Sequence, residues 1–344
     1  MPIANDRATA PRLCIVVPCY NEEEVLPETS RRLSDKLDEL TARGAVAPGS
    51  RVLFVDDGSR DRTWETVLRL HDDPRAFGSR ATAPWFEGVS FAHNEGHQNA
   101  LYAGLMRALE LGFDCAISLD ADLQDDIDAM DEMLERHAEG AEVVYGVRSN
   151  RDTDTAFKRR TAHMFYDLMA WLGVEMVSDS ADYRLMGKRS LRALSQYREV
   201  NLFLRGIVPS LGFKTAEVRY ARGKRFAGES KYPLGKMVSF ALEGITSFSV
   251  KPIRWVTCLG VLTLVVSLVM VVYTLASAIS GHVVAGWSSL MISIWFVGGL
   301  TVTSLGIVGE YIGRIYLESK GRPRYIIAEE TDGLSQGDPG DGLA

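Results

Sequence analysis

The stretch Cys115-Ala116-Ile117-Ser118-Leu119-Asp120-Ala121-Asp122-Leu123-Gln124 runs from small and apolar residues straight into two carboxylates and an amide. A short apolar run bounded by polar turn-formers reads as a buried strand. Outward from it the same pattern recurs. Leu13–Pro18, Val52–Val55, Val89–Ala92 and Val143–Gly146 are further short runs, and helical periodicity fills 22–43, 62–71, 97–111 and 127–139. This alternation predicts an α/β fold with a mostly parallel sheet, which binds ligands at the carboxyl ends of its strands.

Three of those ends are polar: Pro18-Cys19-Tyr20-Asn21-Glu22, Asp56-Asp57-Gly58-Ser59 and Asp120 to Gln124. No GxGxxG follows the first run and no GxxxxGK[ST] occurs anywhere, so the usual glycine cradles for phosphate are missing. If the strand continues extended, Asp120, Asp122 and Gln124 share one face and can aim oxygens at one point. Such a set suits Mg²⁺ or Mn²⁺ with open positions for diphosphate oxygens. Acid pairs of this spacing are also common at solvated turns, and the pair alone decides nothing. Asp125, Asp126 and Asp128 read as a solvated cluster capping the next helix.

Averages over the 344 residues hide a second feature. Mean hydropathy is -0.02, yet residues 255–309 contain no Asp, Glu, Lys or Arg. That length holds two membrane-spanning helices, placed at about 253–279 and 287–313, with a turn at Ser280 to Gly286. Lys251 and Arg254 precede the hairpin, and Arg314, Lys320, Arg322 and Arg324 follow it, so both termini are expected in the cytoplasm. Ahead of it, Leu234, Val238, Ala241, Ile245 and Phe248 repeat at helical spacing. An interfacial helix on the bilayer over 233–252 and a surface helix of the polar body both fit them.

Net charge is -7, from 38 basic and 45 acidic residues, which disfavours a nucleic-acid partner. Cys14, Cys19, Cys115 and Cys258 show no CxxC spacing, against a zinc module or disulfide framework. The apolar run from Leu13 is too short for a signal peptide.

Five motifs in order extend the reading: Val-Pro-x-Tyr-Asn-Glu (17–22), Val-Asp-Asp-Gly-Ser (55–59), Asp-Ala-Asp-Leu-Gln (120–124), Gly-Glu-Ser-Lys-Tyr (228–232) and Gly-Glu-Tyr-Ile-Gly-Arg-Ile-Tyr (309–316). Over residues 13–327 the chain resembles the family 2 glycosyltransferases that load sugars onto polyprenyl phosphates, the group of bactoprenol glucosyl transferases and dolichol-phosphate mannose synthase. The resemblance implies a nucleotide-diphospho-sugar transferase (GT-A) Rossmann-like domain over 13–232, after a flexible 1–12. It also implies a two-helix hairpin at 253–313 and a cytosolic tail, read as disordered from about Glu329. The location implied is the inner (plasma) membrane, with the catalytic domain cytoplasmic.

The partners implied are a nucleotide-sugar donor, a polyprenyl phosphate acceptor and the lipid bilayer; a homo-oligomer stays open. By resemblance the nucleotide lies against Pro18, Tyr20, Glu22, Val55, Asp57, Asp120 and Ala121. Asp120, Asp122 and Gln124 hold Mg²⁺ or Mn²⁺. Asp56 is read instead as bracing its own turn through Gly58 and Ser59. Arg148, Arg160, Arg225 and Lys231 meet the acceptor phosphate, for which arginine forks are suited. Asp182 and Arg205 are the catalytic candidates, Asp182 as base or acceptor organiser, with pairing to Arg184 as its other reading.

The reaction implied is inverting transfer of one sugar, UDP-glucose or another UDP-hexose being the expected donor. GDP-mannose is the alternative donor, and a non-catalytic membrane scaffold the alternative of another class. A processive polysaccharide synthase would need Gln-x-x-Arg-Trp, but Lys251 stands before Arg254-Trp255. His97 reads equally as a helix cap or a catalytic group. Residues 73–87 read as a tolerated insertion or a lid.

Overall fold

The computed structural model describes residues 10–149, 180–199, 202–221, 223 and 286–331, with scattered positions between 253 and 273. Two compact units emerge: one takes in residues 1–167, 175–232 and 323–344, the other 168–174 and 233–322.

The first unit is built on a mixed sheet. In chain order it contains β1 (Leu13–Cys19), α1 (Leu26–Ala42), β2 (Arg51–Asp56), α2 (Thr63–Asp72), β3 (Phe86–Phe91), α3 (His97–Glu110), β4 (Cys115–Ser118), α4 (Ala129–Ala138) and β5 (Val143–Arg148). Then come β6 (Ser180–Gly187), α5 (Lys188–Leu194), α6 (Leu204–Ser210), β7 (Thr215–Tyr220) and, after the apolar segment, β8 (Ile327–Glu330). The strand order is β7-β5-β6-β4-β1-β2-β3-β8. β1, β2, β3 and β4 are parallel, while β6 and β8 run antiparallel to their neighbours.

The order 3-2-1-4 puts the switch of direction between β1 and β4, where a Rossmann-like sheet opens its ligand crevice. The five strands read from the sequence are all present. β6, β7 and β8 lack a continuous apolar run: Ser180-Ala-Asp-Tyr-Arg mixes polar and apolar residues, and β7 alternates exposed with buried positions.

β1 is buried along its whole length, and its two faces have different partners. Leu13, Ile15 and Val17 pack in one cluster with Leu26, Leu33, Leu37 and Leu40 of α1. Each such leucine contributes roughly 1.5–3 kcal/mol by leaving water. On the other face α3 lies so close that a Cβ at Gly104 would stand 2.2 Å from Val16 and 2.9 Å from Val55. Only a residue without a side chain lets the helix approach that near.

The connection that leads into β3 is packed onto the domain. Trp85 is 1 % exposed, its indole donates to Asp38 at 2.9 Å, and the Ser34 and Ser79 hydroxyls are bonded at 2.7 Å. The expectation of disorder from about Glu329 needs correction. β8 pairs with β3 through Glu330, and Thr331 is 2 % exposed, because a sheet edge satisfies the backbone of any segment that can lie along it.

In the second unit α7 spans Trp287–Ser319. Its stretch Phe296–Ser319 is long and apolar enough to cross a membrane, by length and composition, and none of it is buried. It starts where the second expected span starts and runs six residues further. The described residues between 253 and 273 are helical. The expected interfacial helix over 233–252 lies outside the described residues.

Candidate active site

Two residues at the crevice carry backbone strain. Asn21 after β1 (φ 54°) and Leu123 after β4 (φ 57°) sit in the left-handed region, which costs a non-glycine residue about 1 kcal/mol and is concentrated at functional sites. Asn21 is stitched across the crevice: its N–H donates to Ser59 at 2.9 Å and its Oδ1 accepts from the Arg60 N–H at 2.8 Å. Tyr20 beside it is 40 % exposed, leaving its ring open to a ligand.

Leu123 corrects the sequence reading of the acid motif. β4 ends at Ser118 and residues 121–122 form a turn, so strand alternation does not put Asp120, Asp122 and Gln124 on one face. The Gln124 N–H donates instead to Asp122 Oδ1 at 3.1 Å, and the Gln124 carbonyl accepts from Gly223. Asp122 is 8 % exposed. Asp120 keeps 37 % of its side chain open, and its carboxyl is pushed up to about 6, chiefly by burial, with His97 opposing and Asp125, Asp182 and Asp122 adding to the rise.

That excess of negative charge suits a cation. Among the described residues no three His, Cys, Asp or Glu side chains converge to hold one alone. Two aspartates and a shared diphosphate therefore fit the group better than a closed protein cage.

Asp125 does not belong to a solvated cap. It is 4 % exposed, accepts from the Tyr220 hydroxyl at 2.5 Å and lies 3.6 Å from Arg148 Nη2. Arg148 is thus brought beside the acid turn, with its Nε also donating to the Tyr220 hydroxyl at 3.4 Å. Asp128 does stay exposed and pairs with Lys36 at 2.8 Å.

The second strand end is held by its neighbours. Asp56 accepts from the Ser59 N–H at 3.1 Å and the Ser90 hydroxyl at 2.7 Å, the turn-bracing role read from the sequence. Asp57 accepts from the N–H groups of Glu95 (2.7 Å) and Gly96 (3.0 Å) and from Asn94 Nδ2 (2.9 Å). Gly58, at φ +64°, fits under the same loop: a Cβ there would lie 2.6 Å from the His93 carbonyl carbon. Val55 and Ala121, expected at the nucleotide, have buried side chains. Each can offer a ligand only its backbone, and the Ala121 carbonyl already accepts from the Thr29 hydroxyl at 2.7 Å.

Asp182 on β6 is the hub of a second cluster. Arg184 Nη2 donates to its Oδ1 at 2.7 Å, Arg205 Nε and Nη2 reach both oxygens at 3.2 and 3.0 Å, and His97 Nε2 lies 3.5 Å from Oδ2. The pairing with Arg184 is therefore present, as a shared bond. Burial would raise the Asp182 pKa, but Arg205, then His97 and Arg184, outweigh it and hold it well below the carboxylate range. His97 Nε2 is also 3.7 Å from Asp120 Oδ1, so one imidazole joins the two carboxylates.

Sequence reasoning missed Gln98, whose Nε2 approaches Asp182 Oδ2 at 3.5 Å and whose Oε1 accepts from the Leu204 N–H at 3.2 Å. Its position one residue after His97, at the start of a helix following a strand, was the available signal. Arg160, Arg225 and Lys231 lie outside the described residues.

A glycosyl transferase family 2 profile matches residues 14–199, more than half of the chain. The chain belongs to this family. It is a glycosyltransferase, and its crevice is that of the GT-A Rossmann-like fold. A second profile, the GtrB C-terminal hairpin, matches residues 251–315 and, with the apolar α7, marks a membrane-associated family 2 enzyme.

Relatives of this transferase include an uncharacterized glycosyltransferase, YkoT, of Bacillus subtilis, 51 % identical over 93 % of this chain and 92 % of its own. The bactoprenol glucosyl transferase of Shigella phage SfV is 36 % identical over 93 % of this chain and 99 % of its own. Among solved structures, mannosyl-3-phosphoglycerate synthase from Rubrobacter xylanophilus aligns with a TM-score of 0.46 at 16 % identity, covering 69 % of this chain and 73 % of that one.

Proposed function

We propose that this glycosyltransferase moves one glucosyl group from UDP-glucose to a polyprenyl phosphate, inverting the anomeric carbon. The observation that carries the reading is the adjacency of the two halves of the crevice. Asp120 of the donor motif and Asp182 of the acceptor-side hub approach the same imidazole nitrogen of His97, at 3.7 and 3.5 Å. Full-length relatives named bactoprenol glucosyl transferases support the choice of sugar and lipid.

In this reading Tyr20 lines the base, Glu22 and Asp57 face the nucleoside side, and backbone at Pro18, Val55 and Ala121 frames the pocket. Asp120 and Asp122, with Gln124 beside them, would hold Mg²⁺ or Mn²⁺. When bound, the ion offsets charge growing on the leaving diphosphate.

A phosphate oxygen of the lipid forms a bond to the anomeric carbon while that carbon's bond to the diphosphate oxygen breaks. Arg148, Arg160, Arg225 and Lys231 orient the acceptor phosphate. Asp182 is a poor proton acceptor, because a useful base titrates near working pH and Asp182 is held far below it. Its part is to orient Arg205 and Arg184, and the phosphate supplies its own nucleophilic charge.

The proposed location is the plasma membrane, with catalytic domain and both termini cytoplasmic. β8 follows the apolar segment in sequence yet pairs with β3, so chain from both sides of that segment belongs to one domain. An even number of crossings satisfies this.

The test is full-length protein in detergent with UDP-glucose, UDP-galactose or GDP-mannose, polyprenyl phosphate, and Mg²⁺ or Mn²⁺. A glucolipid extracted into organic solvent is expected. Product only with GDP-mannose would replace the donor, and no lipid product with any donor would sink the reading.

A further inference from the structure

The eight residues 324–331 follow α7 and the short link 320–323, and they bond to the rest of the first unit along their length. Arg324 Nη2 donates to the Tyr197 carbonyl at 2.6 Å, with its guanidinium over the Tyr102 ring. Tyr325 stacks on Phe91, centroids 4.9 Å apart and planes within 6°. The Ile326 carbonyl accepts from the Ala92 N–H at 2.9 Å, and β8 then pairs with β3 in antiparallel register. Glu329 accepts from the Trp64 indole at 2.8 Å, and Glu330 is bonded by Arg107 at 2.6 Å. Gly88 and Thr331 exchange bonds at 3.0 Å.

Phe91 and Ala92 are where this grip meets the crevice. They are the last residues before the loop His93 to Gly96, and that loop clasps the Asp57 carboxylate with three N–H groups and lies against Gly58. Gly96 is also the N-cap of α3, whose first residue is His97.

We propose that residues 324–331 are a positioning strap. By stacking Tyr325 on Phe91 and bonding Ile326 to Ala92, they hold the loop 93–96 in the shape that forms the donor side of the site. Without the strap β3 would be a sheet edge, free to fray at its carboxyl end. Fraying there releases Asp57 and His97 together, whereas the acid turn after β4, three strands away in the sheet order, keeps its own bonds. Only the four residues 320–323 separate the strap from the end of α7, so the segment that leaves the apolar helix is also the one that orders the donor loop. The donor assignment rests on the function proposed above; the ordering of the loop does not.

Hydrogen exchange and donor binding test this separately, on full-length protein in detergent. In Tyr325→Ala, peptides covering 92–97 are expected to exchange faster while those of β1 and α1 stay protected. Titration with UDP-glucose and Mg²⁺ is expected to give a Kd weakened about tenfold. Tyr325→Phe keeps the ring and is expected to restore both.

Unchanged exchange at 92–97 in Tyr325→Ala would overturn the strap. So would loss of protection across the whole sheet in both Tyr325→Ala and the milder Thr331→Val, since the segment would then merely stabilise the fold. If wild-type protein binds no UDP-glucose but the exchange pattern holds, the strap stands and the donor assignment fails.

Discussion

Arg205 meets Asp182 side-on, with Nε on one carboxylate oxygen at 3.2 Å and Nη2 on the other at 3.0 Å. Two parallel bonds fix the plane of the guanidinium, which a single ammonium contact cannot do. The Arg205 side chain is 31 % exposed.

Replacing Arg205 by lysine keeps the charge and loses the fork. Turnover is expected to fall on the order of 10–100-fold with donor affinity unchanged, because misplacing one orienting group carries that cost. Steady-state kinetics with varied donor and varied acceptor measure the split. An equal loss in both affinities with kcat intact would contradict the assignment.

Gln98 ties the same pair together from α3. Its amide spans Asp182 and the first N–H of α6, so Gln98→Ala frees the helix that carries Arg205. A drop in kcat of roughly tenfold is expected with little change in thermal stability, and Gln98→Glu should not rescue it, since a second carboxylate would face Asp182. Wild-type rates in Gln98→Ala would remove the residue from the site.

An ion held at Asp120, as proposed above, would bind in a pH-dependent way. Its folded pKa of about 6 lies above the ordinary unfolded value, so the folded state holds the extra proton between about pH 4 and 6. Stability from this group is therefore lost as pH rises through that window, an effect reduced by the 37 % of the side chain open to solvent. A divalent cation cancels the penalty by pairing with the ionised form. Mg²⁺ or Mn²⁺ should raise the melting temperature more at pH 7.5 than at pH 5, and Asp122→Asn should abolish both this shift and transfer. Equal shifts at the two pH values would count against an ion at Asp120.

Asp182 has the opposite sign. Its pKa is lowered on folding, so its contribution is complete above about pH 4 and is lost as pH falls through the folded value. Compared in a His97→Gln background, so that the His97 pKa raised by Asp182 does not contribute, the stability gap between Asp182 and Asp182→Asn should be flat from pH 5 to 8 and should narrow in acid. A gap that grows on acidification would show the sign to be wrong.

Core packing gives a prediction free of chemistry. Gly104→Ala drives a methyl against Val16 and Val55 and should cost about 1–3 kcal/mol, read as a lower denaturant midpoint. A neutral result would mean that α3 can lift off β1 at no cost.

The strands that build the switch point were legible because each is buried on both faces and reads as an unbroken apolar run. β6 was not, since Asp182 and Arg184 stand on it at alternate positions and bond each other there. β8 was hidden more deeply. Its residues Ile327 to Glu330 are half charged and mostly exposed, and only the unpaired edge of β3 makes them a strand. The same limit applies to Asp125. A run of acids after a strand looks solvated until β7 brings Tyr220 over one of them.

Composition and local pattern alone determined the α/β class, the acid motifs at strand ends and the apolar C-terminal segment, because burial and charge leave a periodic trace along the chain. The tertiary structure decided which of those acids stand together. Asp120 and Asp182 are 62 residues apart in sequence, and what joins them is an imidazole from a third element. Contacts of that kind depend on strand order and on a backbone turned left-handed at Leu123, neither of which has a one-dimensional signature.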